Sequence, residues 1–349
     1  MWRRVHEIVW GAAHVERGSI TWRPPLRAAI VATAVCGLAI AIADDPLAIP
    51  LTIGAVFTGL ADTIESASQR MRSMLWVTVW ITIGGLIGGL VSSHPVAHLI
   101  VLALLGAACG FAGSLGRLGG LAGVLTLVMA VLATGVPESA VPAVQFAVLV
   151  LIGGLIQVAV TVVPDLIRRR SQLLAPPPAK QPVAQRLRAH FNRDDPMFRH
   201  AIRLGAALVV GVIAAFLTGW PHAYWIPLTI AWLSKPNAEG FGSRILARLF
   251  GTFAGIAASV LVIDVLHLHR FGFAMLVGVG TYVSVAFLSA NYAIAVMGIT
   301  AIVMALFTLI GDPVGETAVA RAAATVIGSI IVVIGPLIYP PPKARVTAS

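Results

Sequence analysis

Lys235, Arg244, Arg248 and Arg321 are cations set among long apolar runs, and the chemistry open to them is the holding of an anion. Lys235 ends the stretch YWIPLTIAWLSKP (Tyr224–Pro236). Arg244 and Arg248 follow in SRILARLFGTFAG, where their i, i+4 spacing puts both on one face of a helix. Two readings stand for this trio: the side chains reach out to lipid phosphate, or they form an electropositive vestibule that gathers anionic solutes. Arg321 also has two. Asp312 and Glu316 precede it and could pair with it locally, or it is a ligand-binding arginine, since charge placed near lipid is costly to keep without a use.

The same stretch places Pro227 and Thr229 inside an apolar run, and LAIPLTIGAVFTG (Leu47–Gly59) repeats the phrase with Pro50 and Thr52, the two prolines being 177 positions apart. A proline within a helix removes a backbone hydrogen bond. In lipid such a break is tolerated where the backbone is buried in protein or lines a wet cavity. Written twice, the phrase predicts a pair of broken helices facing each other across a central path, with kinks made only for packing as the alternative. Tyr224 and Trp225 would stack on an aromatic ring there, or anchor the membrane interface.

The elements that must position these residues are membrane helices. Of 349 residues, 58% are hydrophobic and 11% charged, against about 25% charged in an ordinary soluble domain. The apolar runs predict an all-α polytopic membrane protein of about twelve spans: Ala28–Ala43, Leu47–Ala61, Leu75–Val91, Val96–Ala112, Leu118–Thr134, Val141–Val163, Ile202–Thr218, Ala223–Leu233, Phe250–Leu266, Phe271–Leu288, Tyr292–Ile310 and Ala318–Ile338. The eighth is short for a bilayer.

With a cytoplasmic N-terminus, the inner segments hold 22 of the 24 lysines and arginines, leaving only Arg270 and Arg321 outside. Both termini are therefore expected in the cytoplasm. The spans fall into two sets. VMAVLATGVP (Val128–Pro137) answers VMALFTLIGDP (Val303–Pro313), and Pro164 answers Pro340, each at an offset near 176. Six spans separate the copies, so both halves enter the membrane in the same direction and form a parallel repeat.

The expected organisation is an amphipathic cytoplasmic segment at 1–27, a six-span repeat at 28–167, a basic Pro-rich linker at 168–200, a second repeat at 201–340 and a tail at 341–349. The first segment has Trp2, Ile8, Val9 and Trp10 among arginines and lacks the apolar core of a cleavable signal. A disordered basic tail is its alternative.

Other chemistries find little support. Cys36 and Cys109 lie inside apolar runs and read as packing residues. The basic residues are scattered between spans, which speaks for topology and not for nucleic acid. No phosphate loop, nucleophile elbow or intramembrane acid pair is present, so neither a catalytic site nor a cofactor is expected. His94 and His98, with His267 and His269 beside Asp264, are assigned to outer loops; the spacing matches no strong metal motif, leaving interfacial polarity or proton transfer.

Trp225, Pro227, Leu228, Thr229, Pro236, Arg244, Arg248, Gly251, Thr252 and Gly255 together resemble the signature of the fusaric-acid-resistance (FUSC) membrane proteins, and Arg321 and Gly328 in RAAATVIGSIIVVIG are similar to that family's closing segment. The resemblance is specific over the second half and degenerate over the first. It implies export of aromatic acids and related organic anions, and kinship with the plant aluminium-activated malate transporters, anion channels assembled from two six-span subunits. The expectation is a carrier or channel for small organic anions, probed with an aromatic carboxylate, whose pathway is lined from Pro50, Thr52, Tyr224, Trp225, Pro227, Thr229, Lys235, Arg244, Arg248 and Arg321. A homodimer or an accessory subunit is left open. The alternative is a membrane scaffold that docks a partner through its basic segments.

Overall fold

The computed structural model describes residues 2–42, 45–62, 66–135, 142–168, 181–236 and 240–340. Among them the regular structure is helical throughout. Helix α1 (Trp2–Ala13) is followed by α2 (Arg23–Ala41), α3 (Asp45–Gly59), α4 (Ala67–Val91), α5 (Pro95–Phe111), α6 (Arg117–Thr134) and α7 (Ala143–Arg168). A short helix α8 (Val183–His190) leads to α9 (Pro196–Thr218), α10 (Trp225–Leu233), α11 (Phe241–Leu266), α12 (Arg270–Phe287), α13 (Tyr292–Leu309) and α14 (Val314–Ile338). The tail at 341–349 and linker residues 169–180 lie outside the described residues.

Ten of these helices are long and apolar enough to cross a membrane. Large apolar side chains such as Trp76, Leu104, Phe250 and Leu337 stand on the outside of the bundle, the reverse of what water would allow in such number, and they suit a surrounding of lipid. The chain is a multi-pass membrane protein. The remaining two of the twelve expected spans are α3 and α10, the helices that carry the Pro-Leu-Thr phrase. With nine residues α10 is about 13 Å long, less than half of a hydrocarbon core of about 30 Å. It survives at that length because every one of its residues is buried in protein.

The expectation of broken helices is corrected here. Pro227 is the third residue of α10, in the first turn, where its missing N–H has no helical partner to lose, so it opens a helix and breaks none. Pro50 lies inside α3, which runs through it. Thr229 donates to the carbonyl of Trp225 at 2.9 Å, bonding its own helix.

The helices pack in matching sets. In the first half α4 lies on α6 and α7, α3 on α7, and α2 on α3; in the second α11 lies on α13 and α14, α10 on α14, and α9 on α10. Between halves α2 lies on α12, and α9 on α5. Close approach needs glycine at two places. Gly84 and Gly88 of α4 sit against the carbonyls of Thr126 and Ala130 on α6; Gly251 and Gly255 of α11 sit against those of Ala293 and Met297 on α13. A Cβ at any of the four would strike backbone, so this small-xxx-small spacing sets the helix separation in each half.

The ends of the helices define two faces. On the basal face, where α2 and α9 begin, Arg27, Asp62, Arg70 and Asp165 form one ion network. Arg70 Nε donates to Asp62 Oδ1 at 2.6 Å and Nη1 to Asp165 Oδ2 at 2.7 Å, and Arg27 Nη2 reaches Asp62 Oδ2 at 3.0 Å. This ties α2, α4 and α7 to the end of α3. Helix α1 is held to the same face by Asn291, whose side-chain amide donates to the carbonyls of Ala12 and His14 while its oxygen caps α13 through the N–H of Ile294. The opposite, distal face carries the turns before α10 and α14.

Candidate anion-binding site

The two short helices face a cavity at the centre of the bundle. Ile53, Val56 and Phe57 of α3, with Leu60 just beyond its end, form one wall, and Trp225, Leu228 and Trp232 of α10 another, with α6 and α13 between them and Arg321 of α14 completing the lining. The space available to the centres of water molecules is about 50 Å³, enough for several waters. Its surface is apolar and aromatic apart from Arg321, Ser284 and the edge of Trp225.

Arg321 lies seven residues into α14, about 10 Å from the distal end. It is 0% exposed, and among the described residues none of its three guanidinium nitrogens has a hydrogen-bond partner. Its guanidinium carbon lies 5.4 Å from the centre of the Trp225 ring. The expected local ion pair is therefore corrected: neither Asp312 nor Glu316 bonds Arg321. Nor does Arg321 belong to an outer loop.

Arg248, seven residues into α11 from the basal side, is likewise 0% exposed, with the Tyr292 hydroxyl as its polar neighbour, so it does not reach lipid phosphate. Arg248 and Arg321 lie within electrostatic range of each other and of Tyr292. The hydroxyls of Tyr224 and Tyr292 and the indole N–H of Trp225 are also buried here, Tyr224 beside Trp225 and Tyr292 beside Arg248. This set is rich in donors, and a ligand that meets it must supply acceptors.

A larger cavity of about 370 Å³ opens beneath, lined by Arg117, His200, Trp232, Ser234, Lys235 and Arg244 among others. Arg244 donates from Nη2 to the carbonyl of Trp232 at 2.9 Å, satisfying the last turn of α10, and lies 3.8 Å from the centre of the Tyr292 ring. Burial, with Arg244 nearby, lowers the pKa of Lys235 from its ordinary value. Trp232 lines both cavities and meets Phe57 edge-on at 6.2 Å, forming the partition between them.

On the distal side the cavity is closed by aromatic rings. His222 stacks on Trp225 at 4.7 Å and meets Phe307 edge-on at 5.0 Å. Its Nε2 lies 3.1 Å from Asp312 Oδ2. Burial holds the His222 imidazole below the usual histidine range, while the Asp312 carboxylate pulls it back up. The Tyr224 ring covers Gly135 at the end of α6, where a Cβ would overlap it.

Of the residues singled out from sequence, the structure brings Trp225 and Arg321 into the central cavity and Lys235 and Arg244 into the basal one. Arg248 and Tyr224 stand beside this line. Pro50, Thr52, Pro227 and Thr229 lie in α3 and α10 outside the cavity walls; Thr229 packs on Gly328 of α14, and the buried hydroxyl of Thr52 has no partner. Trp225 is not an interface anchor, being 0% exposed. His222, Phe57, Trp232 and Phe307 were missed. The cluster WPHAYW around His222 is the one local signal that could have raised it. His98, expected in an outer loop, is buried in the first turn of α5 against Phe216.

Apart from His200, the residues of α9 to α14 named here fall within residues 208–335, which match the family described as fusaric acid resistance protein-like. These residues form a fusaric acid resistance protein-like segment. The chain is also 35% identical over 146 residues to the inner membrane protein YccS of Escherichia coli, a stretch covering 42% of the chain and 20% of that relative. Uncharacterised proteins of Synechocystis (30% over 148 residues, 42% of the chain and 19% of the relative) and Haemophilus influenzae (26% over 143 residues, 41% and 20%) match similarly. The matches span about a fifth of the length of these relatives. No solved structure matches the chain. The fusaric-acid-resistance-like segment thus contains both buried arginines, Trp225 and the cations of the basal cavity.

Proposed function

We propose that the protein is a secondary transporter or channel for small organic anions with an aromatic body, carried between two parallel six-helix repeats. The observation that supports this most is Arg321. A buried cation without a counterion costs several kcal/mol, and the cost is rational where the counterion is a ligand that comes and goes. The rest of the cavity supplies what an aromatic carboxylate needs: Trp225, Trp232, Phe57 and Phe307 for the ring, one guanidinium for the carboxylate.

In this reading the basal cavity collects anions through Lys235, Arg244 and Arg117, and Trp232 with Phe57 separates it from the site under Arg321. The basal face is cytoplasmic, in keeping with the excess of lysine and arginine there, and the direction is export. The repeat is supported by the matching helix contacts, by the equivalent glycine pairs and by the placement of the two Pro-Leu-Thr helices on opposite walls of one cavity. In this reading Arg70, neutralised by Asp62 and Asp165, is a point at which the halves differ.

Reconstitution in liposomes with labelled 4-hydroxybenzoate tests the reading. Saturable flux above protein-free vesicles is the expected result. Its absence from folded protein would refute transport of this class.

A further inference from the structure

Arg321 and His222 share one side chain. The guanidinium carbon of Arg321 is 5.4 Å from the Trp225 ring centre, and the His222 ring is 4.7 Å from it with an interplanar angle of 16°. The imidazole and the cavity's unpaired cation are therefore no further apart than the sum of these distances. Tyr224 stands within electrostatic range of both Asp312 and Arg321, on the same side of the bundle.

Among the described residues the groups facing His222 are few. Asp312, from the turn between α13 and α14, lies 3.1 Å from Nε2. Trp225 of α10, Phe307 of α13 and Tyr224 of its own turn supply rings. Arg321 of α14 is the nearby cation, and Glu316, in the first turn of α14, lines an outward groove with Trp220 and Pro221 on the far side of the same turn. The histidine is also held with φ at +61°, in the left-handed region that a side chain rarely adopts. Strain of this sort concentrates at functional positions.

We propose that His222 and Asp312 form a proton-binding site that loads together with the anion under Arg321, so that a monocarboxylate crosses with one proton. The proposal rests on the transporter reading given above. With the cavity empty, the Arg321 charge opposes a second positive charge on the other partner of Trp225. An anion on Arg321 cancels that field. Two unit charges about 10 Å apart at an effective dielectric near 20 alter proton affinity by about tenfold. Linkage makes the effect reciprocal, so the proton tightens anion binding by the same factor.

The step balances: the imidazole takes one proton from water on the side to which the cavity is open, the carboxylate binds as its anion, and both leave on the other side. Net charge moved is zero, so the membrane voltage does not act on the step; the acid's own gradient drives export, and a more acidic exterior opposes it.

The test uses the full chain in nanodiscs, titrated with 4-hydroxybenzoate in weakly buffered solution carrying a pH-indicator dye, between pH 5.5 and 8. Wild type is expected to take up about half a proton per anion bound at the pH of greatest uptake, as a tenfold linkage requires. His222→Gln should bind up to tenfold more weakly and take up none, and Asp312→Asn provides a second variant with reduced uptake should His222→Gln fail to fold. Anion binding by wild type without proton uptake across the range would overturn the proposal and leave the anion site standing. Undiminished uptake in His222→Gln would overturn it as well. Failure of folded wild type to bind the anion would refute the transporter reading, and the proposal with it.

Discussion

Arg321 and Trp225 meet in the wall of a cavity that neither could form alone: the guanidinium carbon stands 5.4 Å from the indole centre, with α14 supplying the charge and α10 the ring. Because α10 is only nine residues long and wholly buried, Trp225 is carried to the middle of the bundle and kept from the lipid interface. Among the described residues the cation has a polarisable neighbour but no counterion, and that deficit has measurable consequences.

Arg321→Met keeps volume and removes the charge. If the guanidinium is uncompensated, the variant is more stable than wild type by about 1–4 kcal/mol, the range seen when buried ionic groups give way to apolar ones. Thermal unfolding in detergent, followed by tryptophan fluorescence, checks this. A lowered midpoint would mean that Arg321 has a resident counterion.

The ion network at the basal face predicts the opposite. Arg70→Ala leaves the Asp62 side chain, 0% exposed, without its main partner, and should cost about 3–5 kcal/mol. Arg27→Ala removes a contact to the same carboxylate from a side chain 34% exposed and should cost about 1 kcal/mol or less. Comparing the two denaturation midpoints tests whether Arg70 is the structural partner of Asp62.

These features were unequally legible in the sequence. The long helices are written in composition, since a run of apolar residues near twenty has one use in lipid. The shortness of α10 was visible as well, but Pro227 was taken for a break because its place in the first turn depends on where the helix starts, which no local pattern states. Arg321 stands out in the sequence as a charge among apolar neighbours, and proximity offers it Asp312 and Glu316 as local partners beside the reading of a ligand-binding arginine. Asp312 turns instead to His222, 90 positions earlier, and Arg70 bonds Asp165 across 95 positions. Pairings of that kind arise from helix packing and leave no spacing to read.

The glycine pairs predict equal damage in the two halves. Gly88→Val and Gly255→Val each push a side chain into backbone carbonyls and should each cost about 1–3 kcal/mol or more. Gly37→Ala, in α2 with open space around it, should be neutral or stabilising by up to about 1 kcal/mol. The fraction of monodisperse protein after a heat step reads all three.

Lys235 in the basal cavity predicts a dependence on salt and pH. Neutralising it in Lys235→Gln should raise KM with little change in maximal flux, and the difference should vanish near 1 M salt, where screening acts within about 3 Å. Since burial and Arg244 lower its pKa from 10.5, its charge is lost as pH rises, before the ordinary lysine value is reached. KM in wild type should therefore climb at alkaline pH, while Lys235→Arg, which stays charged, should hold level. Initial-rate measurements across pH and ionic strength decide it.

The most direct test of the account is equilibrium binding of 4-hydroxybenzoate to purified protein in nanodiscs, read by quenching of tryptophan fluorescence, in wild type and in Arg321→Met shown to be folded. A charge-assisted hydrogen bond is worth about 1.5–3 kcal/mol. The account accordingly predicts saturable binding in wild type and an affinity about 10- to 100-fold lower in the variant. Equal affinity in the two proteins would contradict it.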